Sequence, residues 1–208
     1  MRVLPKIDIN KSGFHVVFCF MQNRFGDTVY TEMKPKRQII YAFIDSQNLN
    51  LGTGKDLFNK NGNKIYKGWH LDFKKFRVYL ADKFRVSKVF LFIGYIKGNE
   101  KMYDQLKSFG YELVFKPTTK DGLGKPKGNI DAELVLHAAA IEYKNYDKAI
   151  VVSGDGDFRC LYEYLIENKK LLRIIIPNRL SESSLLRKFH DYKIFLIRDK
   201  EKLIKERR

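Results

Sequence analysis

Ala149-Ile150-Val151-Val152-Ser153-Gly154-Asp155-Gly156-Asp157-Phe158 is the stretch on which the fold turns. Ile150, Val151 and Val152 are adjacent β-branched residues with no polar alternation. That pattern belongs to a strand buried on both faces, as in a parallel sheet with helices on either side. A Gly-rich turn follows, then an amphipathic segment over 158–168. Gly154 and Gly156 are read as supplying backbone angles that other residues resist. Asp155 and Asp157 then sit at the carboxyl end of a central strand, where open α/β sheets place their ligands. A single Asp there would serve as the cap of the next helix. Two Asp flanking a Gly exceed what one cap needs.

Working outward, residues 39–44 (Ile-Ile-Tyr-Ala-Phe-Ile) read as another buried strand, ending at Asp45 and followed by Ser46-Gln47-Asn48. Further strands are expected at 88–96, 111–115, 171–176 and 193–197, with Pro177 stopping the third of these. Phe73, Phe76, Leu80 and Phe84 recur at helical spacing behind Asp72 as a cap. Met102, Leu106 and Phe109 mark the next helix, and Gly110 its end. Asn129 caps a helix that carries Asp131 in its first turn, where the helix dipole favours a carboxylate. His137 on that helix is read as a packed or surface histidine. Residues 181–190 are expected to be helical. The alternation of strand and helix means an α/β fold with a parallel sheet. Residues 50–68, rich in Gly, Lys and Asn, read as a long exposed loop, and 118–129 as a second. Residues 1–37 lack this periodicity and read as an extension: a small hairpin, a disordered arm, or an over-extended reading frame with Met33 as the true start. Residues 38–198 form the main domain and 199–208 a basic tail, with 200–208 read as a basic helix or a frayed end.

The chain has 208 residues and a hydrophobic content of 44%, enough for a real core. It has no apolar run long enough for a membrane span and no signal-peptide pattern. Cys19 and Cys160 offer neither a disulfide framework nor a zinc cluster, and Cys160 is expected to be a core thiol. A cytoplasmic protein is the expectation. The 40 Lys and Arg against 24 Asp and Glu leave a net charge of +16, which points to a polyanion as partner. Most of the 12 Tyr and 16 Phe are needed for the core.

Asp45, Asp155 and Asp157 follow strands, and Asp131 opens the helix between them. If the first and fourth strands of the main domain are neighbours, these carboxylates meet at one edge. Like charges so placed need compensation, and Mg2+ or Mn2+ supplies it through oxygen ligands. The sequence holds no Ser-His-Asp pattern, no Walker loop and no Gly-x-Gly-x-x-Gly fingerprint. A phosphatase with an aspartyl nucleophile would want Asp-x-Asp on the first strand, whereas Ser46-Gln47 follow Asp45. Lys127 is near enough to the cluster in sequence to contact a phosphate, or else is simply solvated.

Phe43-Ile44-Asp45-Ser46-Gln47-Asn48-Leu49, Lys127-Gly128-Asn129-Ile130-Asp131 and Val152-Ser153-Gly154-Asp155-Gly156-Asp157-Phe158 together resemble the three acidic motifs of NYN domains. NYN domains are PIN-like, metal-dependent ribonucleases. The resemblance runs from about 38 to 198. It implies a three-layer α/β/α sandwich with a central, mostly parallel sheet. It also implies Asp45, Asp131, Asp155 and Asp157 as catalytic and metal-site carboxylates, with Asn48 and Ser153 as supporting groups. The expected function is a Mg2+- or Mn2+-dependent endoribonuclease acting on single-stranded RNA, with Lys120, Lys125 and Lys127 on the backbone phosphates. A homo-oligomer is compatible with this reading. The rival expectation is an RNA-binding or regulatory module of the same fold with little turnover. The insertion at 50–68 and the first 33 residues depart from the compact family pattern.

Overall fold

A computed structural model describes residues 37–116 and 131–206, together with the backbone of Ile130 and of short strands at 5–9, 15–22, 28–33, 119–120 and 126–127. The chain divides into two compact units, Met1–Gln38 and Ile39–Arg208. In the first unit, β1 (Pro5–Ile9), β2 (His15–Gln22) and β3 (Thr28–Met33) form an antiparallel sheet in the order β1-β2-β3.

The second unit begins with β4 (Ile40–Asp45) and α1 (Ser46–Gly54). A hairpin of β5 (Leu57–Phe58) and β6 (Lys64–Tyr66) leads to α2 (Phe73–Phe84). Then come β7 (Lys88–Gly94), α3 (Glu100–Ser108) and β8 (Tyr111–Lys116). The short strands β9 (Thr119–Lys120) and β10 (Pro126–Lys127) pair antiparallel ahead of α4 (Ile130–Leu136). A π-helical turn, His137–Ile141, ends α4. The chain continues through β11 (Lys148–Val152), α5 (Arg159–Glu167), β12 (Leu171–Ile176), β13 (Lys193–Phe195) and α6 (Lys200–Leu203).

Six strands make one sheet in the order β13-β12-β11-β4-β7-β8, and every pairing in it is parallel. Each inner strand is buried on both faces, which is why its sequence shows no polar alternation. Ala42, Ile44, Leu91 and Val152 face one cluster with Phe76, Leu80 and Leu106 of α2 and α3. Phe43, Phe92, Val151 and Ile174 face the other with Leu134, Tyr162 and Leu165 of α4 and α5. The fold has the parallel sheet expected from the alternation and is the three-layer α/β/α sandwich that the resemblance implied. Burial of each such large side chain is worth about 1.5–3 kcal/mol.

Strand order reverses at β4, which has β7 and β8 on one side and β11 and β12 on the other. This is the topological switch point, and its crevice opens at the carboxyl ends of β4 and β11. Asp45 and Ser153 emerge there.

Four expectations are corrected. Residues 50–68 are not one loop, because α1 reaches Gly54 and a hairpin follows. Only Leu49, Thr53 and two small neighbours of α1 are buried, so the helix lacks an apolar stripe and rests on its cap and its seat at the sheet edge. Residues 184–192 are 3-10 rather than α-helical, with Phe189 kinked to φ −93°, ψ 27°. The buried Leu186 and Phe189 stand three apart, which suits a three-residue turn. Residues 199–206 pack onto the domain instead of trailing from it. Leu203 is fully buried, its carbonyl accepts from Asp72 N at 2.8 Å, and Lys205 N donates to His70 O at 2.8 Å. Cys160 is exposed, because α5 turns Leu161, Tyr162 and Leu165 inward instead.

Candidate active site

The Asp45 carboxylate is buried and caps α1. Its Oδ1 accepts from Gln47 N at 3.0 Å and Asn48 N at 3.1 Å. Its Oδ2 accepts from the Ser153 hydroxyl at 3.3 Å. Ser153, fully buried at the end of β11, also accepts from Asp155 N at 3.1 Å. Asn48 Oδ1 accepts from Gly154 N at 2.8 Å. These bonds tie the ends of β4 and β11 together across the switch point. Asp155 caps the 3-10 turn Gly156–Phe158 by accepting from Asp157 N at 3.0 Å. Asp155 is half-buried and Asp157 exposed.

Gly154 and Gly156 do not take the backbone angles expected of them, since neither has a positive φ. Gly156 answers to space. A Cβ there would lie 2.3 Å from Ser183 Oγ and 3.0 Å from Leu185 Cδ1.

Asp131 joins the site from the first turn of α4. Burial pushes its carboxyl up, Asp155 and Asp157 push it further, and Lys116 pulls it down. Burial also raises Asp45, with Asp131 adding to the effect against the hydrogen bonds from Asn48, Gln47 and Ser153. The four predicted carboxylates therefore share one electrostatic neighbourhood. The described residues do not include the side chains of Lys120, Lys125 and Lys127, nor Asn129, so their expected roles lie outside what the structure describes.

Lys116 is a site residue that the sequence reading missed. It is buried at the end of β8, and its Nζ has no hydrogen-bond partner among the described residues. Burial depresses its pKa, opposed by Asp131, Glu133 and Asp45. The signal was available, since a Lys terminating an apolar strand is the same pattern that singled out Asp45. His137 packs against the sheet face, 5.9 Å from the Phe90 ring and 5.3 Å from that of Phe92.

The NYN domain family matches residues 40–197. The chain belongs to the NYN domain family. The crystal structure of a protein of unknown function from Vibrio parahaemolyticus is similar in fold, with a TM-score of 0.60 at 18% identity over 83% of this chain and 100% of that one. No curated protein matches the chain significantly.

NYN domains, like their PIN-like relatives, usually use divalent metals. Among the described residues, no group of three or more His, Cys, Asp or Glu side chains stands ready to hold a metal ion. The four carboxylates are neighbours without forming a preformed chelate. The donors still fit Mg2+ or Mn2+, because Mg2+ commonly keeps several waters and binds through one or two carboxylates. The upward push on Asp131 by its acidic neighbours is the repulsion that such a cation relieves. Among the described residues no helix is long and apolar enough to cross a membrane.

Proposed function

We propose that this NYN domain is a metal-dependent endoribonuclease whose working carboxylates are Asp45, Asp131, Asp155 and Asp157. The observation that carries the reading is the meeting of Asp131 with Asp45, Asp155 and Asp157 at the switch point of a parallel sheet. Asp45, Asp131, Asp155 and Asp157 would hold Mg2+ or Mn2+ between them. When bound, the metal supplies an activated water and neutralises charge at the phosphodiester, leaving a 5′-phosphate and a 3′-hydroxyl. Asn48 and Ser153 act as positioning residues. They fix the Asp45 carboxylate and the Gly154 backbone, so the acidic loop cannot drift from β4. The Lys116 ammonium offsets part of the carboxylate charge and eases the approach of a phosphate. Lys120, Lys125 and Lys127 would hold the strand by its phosphates, as the net charge of +16 favours. The catalytic unit begins at residue 38 and includes the packed C-terminal segment 199–206, with 1–37 as an extension, and it would act on single-stranded RNA in the cytoplasm.

The rival reading is an RNA-binding NYN module of the same fold with little turnover. Labelled single-stranded and structured RNA incubated with Mn2+, Mg2+ or EDTA separates the two. The nuclease reading expects cleavage with metal and none in EDTA, lost in Asp155→Asn while RNA binding is kept. Binding without cleavage under all conditions leaves the module.

A further inference from the structure

The carboxyl ends of β7 and β8 carry a feature that the acidic site does not use. Tyr95, just past the end of β7, is 43% exposed, and Phe115, next to last in β8, is 37% exposed. Their rings meet edge to face, with centroids 5.6 Å apart and planes at 86°. Buried Tyr103 of α3 packs against both, at 5.7 Å from Tyr95 and 4.9 Å from Phe115.

The exposed ring is held in place. The Tyr95 hydroxyl donates to Glu100 Oε1 at 2.8 Å, and the same oxygen accepts from Gly98 N at 3.1 Å. Beneath it, the Tyr103 hydroxyl accepts from Ile96 N at 2.8 Å. An exposed side chain ordinarily keeps its rotamer freedom, and fixing it in the free protein lowers the cost of binding later. Lys97 and Lys101 are exposed on the same turn and the start of α3. Alternation along β8 puts Phe115 on the α3 side of the sheet and the next residue, Lys116, among the carboxylates. Phe115 and Lys116 are adjacent in β8 but point to opposite faces of the sheet. An RNA strand running from the rings to the acidic site would therefore cross the carboxyl end of β8.

We propose that Tyr95 and Phe115 form a base-stacking platform for a single-stranded nucleic acid whose backbone continues into the acidic site. The proposal rests on the RNA reading given above and adds to it a subsite for the base. Each nucleobase offers a π-face to a fixed ring, while Lys97 and Lys101 face its phosphates. A duplex keeps its base faces stacked internally, so the platform selects unpaired strands.

The test is fluorescence anisotropy in EDTA with a short labelled single-stranded RNA and with an abasic ribose-phosphate oligomer of the same length. Wild type should prefer the base-bearing strand. Tyr95→Ala should weaken RNA binding by roughly 5- to 100-fold and leave the abasic oligomer unaffected. Phe115→Leu, which keeps apolar contact with Tyr103, should lose affinity in the same direction. Tyr95→Phe should keep most of it, and Lys97→Gln should weaken both ligands alike. RNA bound equally by wild type, Tyr95→Ala and Phe115→Leu overturns the platform and leaves the RNA reading standing. If wild type binds neither ligand, the RNA reading falls and takes the platform with it.

Discussion

The Asp45 carboxylate closes the first turn of α1, accepts the Ser153 hydroxyl and stands beside Asp131. Folding and chemistry make opposite demands on this acidic pair. Capping favours an ionised Asp45, whereas burial and the neighbouring Asp131 favour its protonation, and burial with Asp155 and Asp157 favours protonation of Asp131. Both folded pKa values lie above the ordinary 3.8. From that value up to the raised ones, the folded state binds more protons than the unfolded chain, so these groups make stability fall as pH rises. In the metal-free protein, Asp131→Asn removes its own share and relieves Asp45. The stability of Asp131→Asn relative to wild type should therefore be unchanged at low pH, where both carboxyls are protonated, and should grow as pH climbs through the carboxylate range. Urea denaturation at a series of pH values checks this, and a difference that shrinks with pH would refute the repulsion. Lys116 belongs to the same balance, and it escaped the sequence reading because the strand was ended one residue early, at Phe115.

At the level of elements, the loops after β11 and β12 interlock. Ser183 N donates to Gly154 O at 3.0 Å, and the Ser183 side chain caps the following 3-10 segment through Leu185 N. Gly156 lies under that serine with no room for a methyl group. Gly156→Ala should cost about 1–3 kcal/mol, the usual range for overpacking. Ser183→Gly on the Gly156→Ala background should recover part of the loss, and a double-mutant cycle by chemical denaturation measures the coupling. The glycine was legible in the sequence, but its reason was not. Turn chemistry suggested a left-handed angle, whereas the requirement is a neighbour 27 residues further along the chain. Helix α1 is a similar case. Its Gly-, Asn- and Thr-containing sequence reads as a loop, and the Asp45 cap together with burial of Leu49 and Thr53 overrides that preference.

On the scale of the whole domain, the C-terminal segment is part of the core on the α2 side of the sheet. Leu203 is fully buried in the cluster that contains Phe76 and Leu80. Asp199 accepts from the Tyr79 hydroxyl and from Lys83 Nζ, each at 2.8 Å. Leu203→Ala should destabilise the domain by about 2–5 kcal/mol, as expected for a fully buried leucine. A shift of less than about 0.5 kcal/mol in urea denaturation, typical of surface changes, would show that the segment is dispensable. The charge excess of the last ten residues suggested a tail, and one leucine at the right spacing from α2 decides otherwise.

The sequence by itself determined the six strands of the main sheet, that this sheet is parallel and doubly covered, and which carboxylates stand at strand ends. It could do so because a strand buried on both faces requires an unbroken apolar run, and a polar residue ending such a run has only the sheet edge to occupy. Tertiary structure alone decided that β4 and β11 are neighbours and that Lys116 reaches in from the strand at the other edge of β7. It also decided that Gly156 sits beneath Ser183 and that Tyr95 and Phe115 share one surface. Strand order and loop contact are long-range pairings, and local propensity carries no information about which distant segment will fill the space beside a residue.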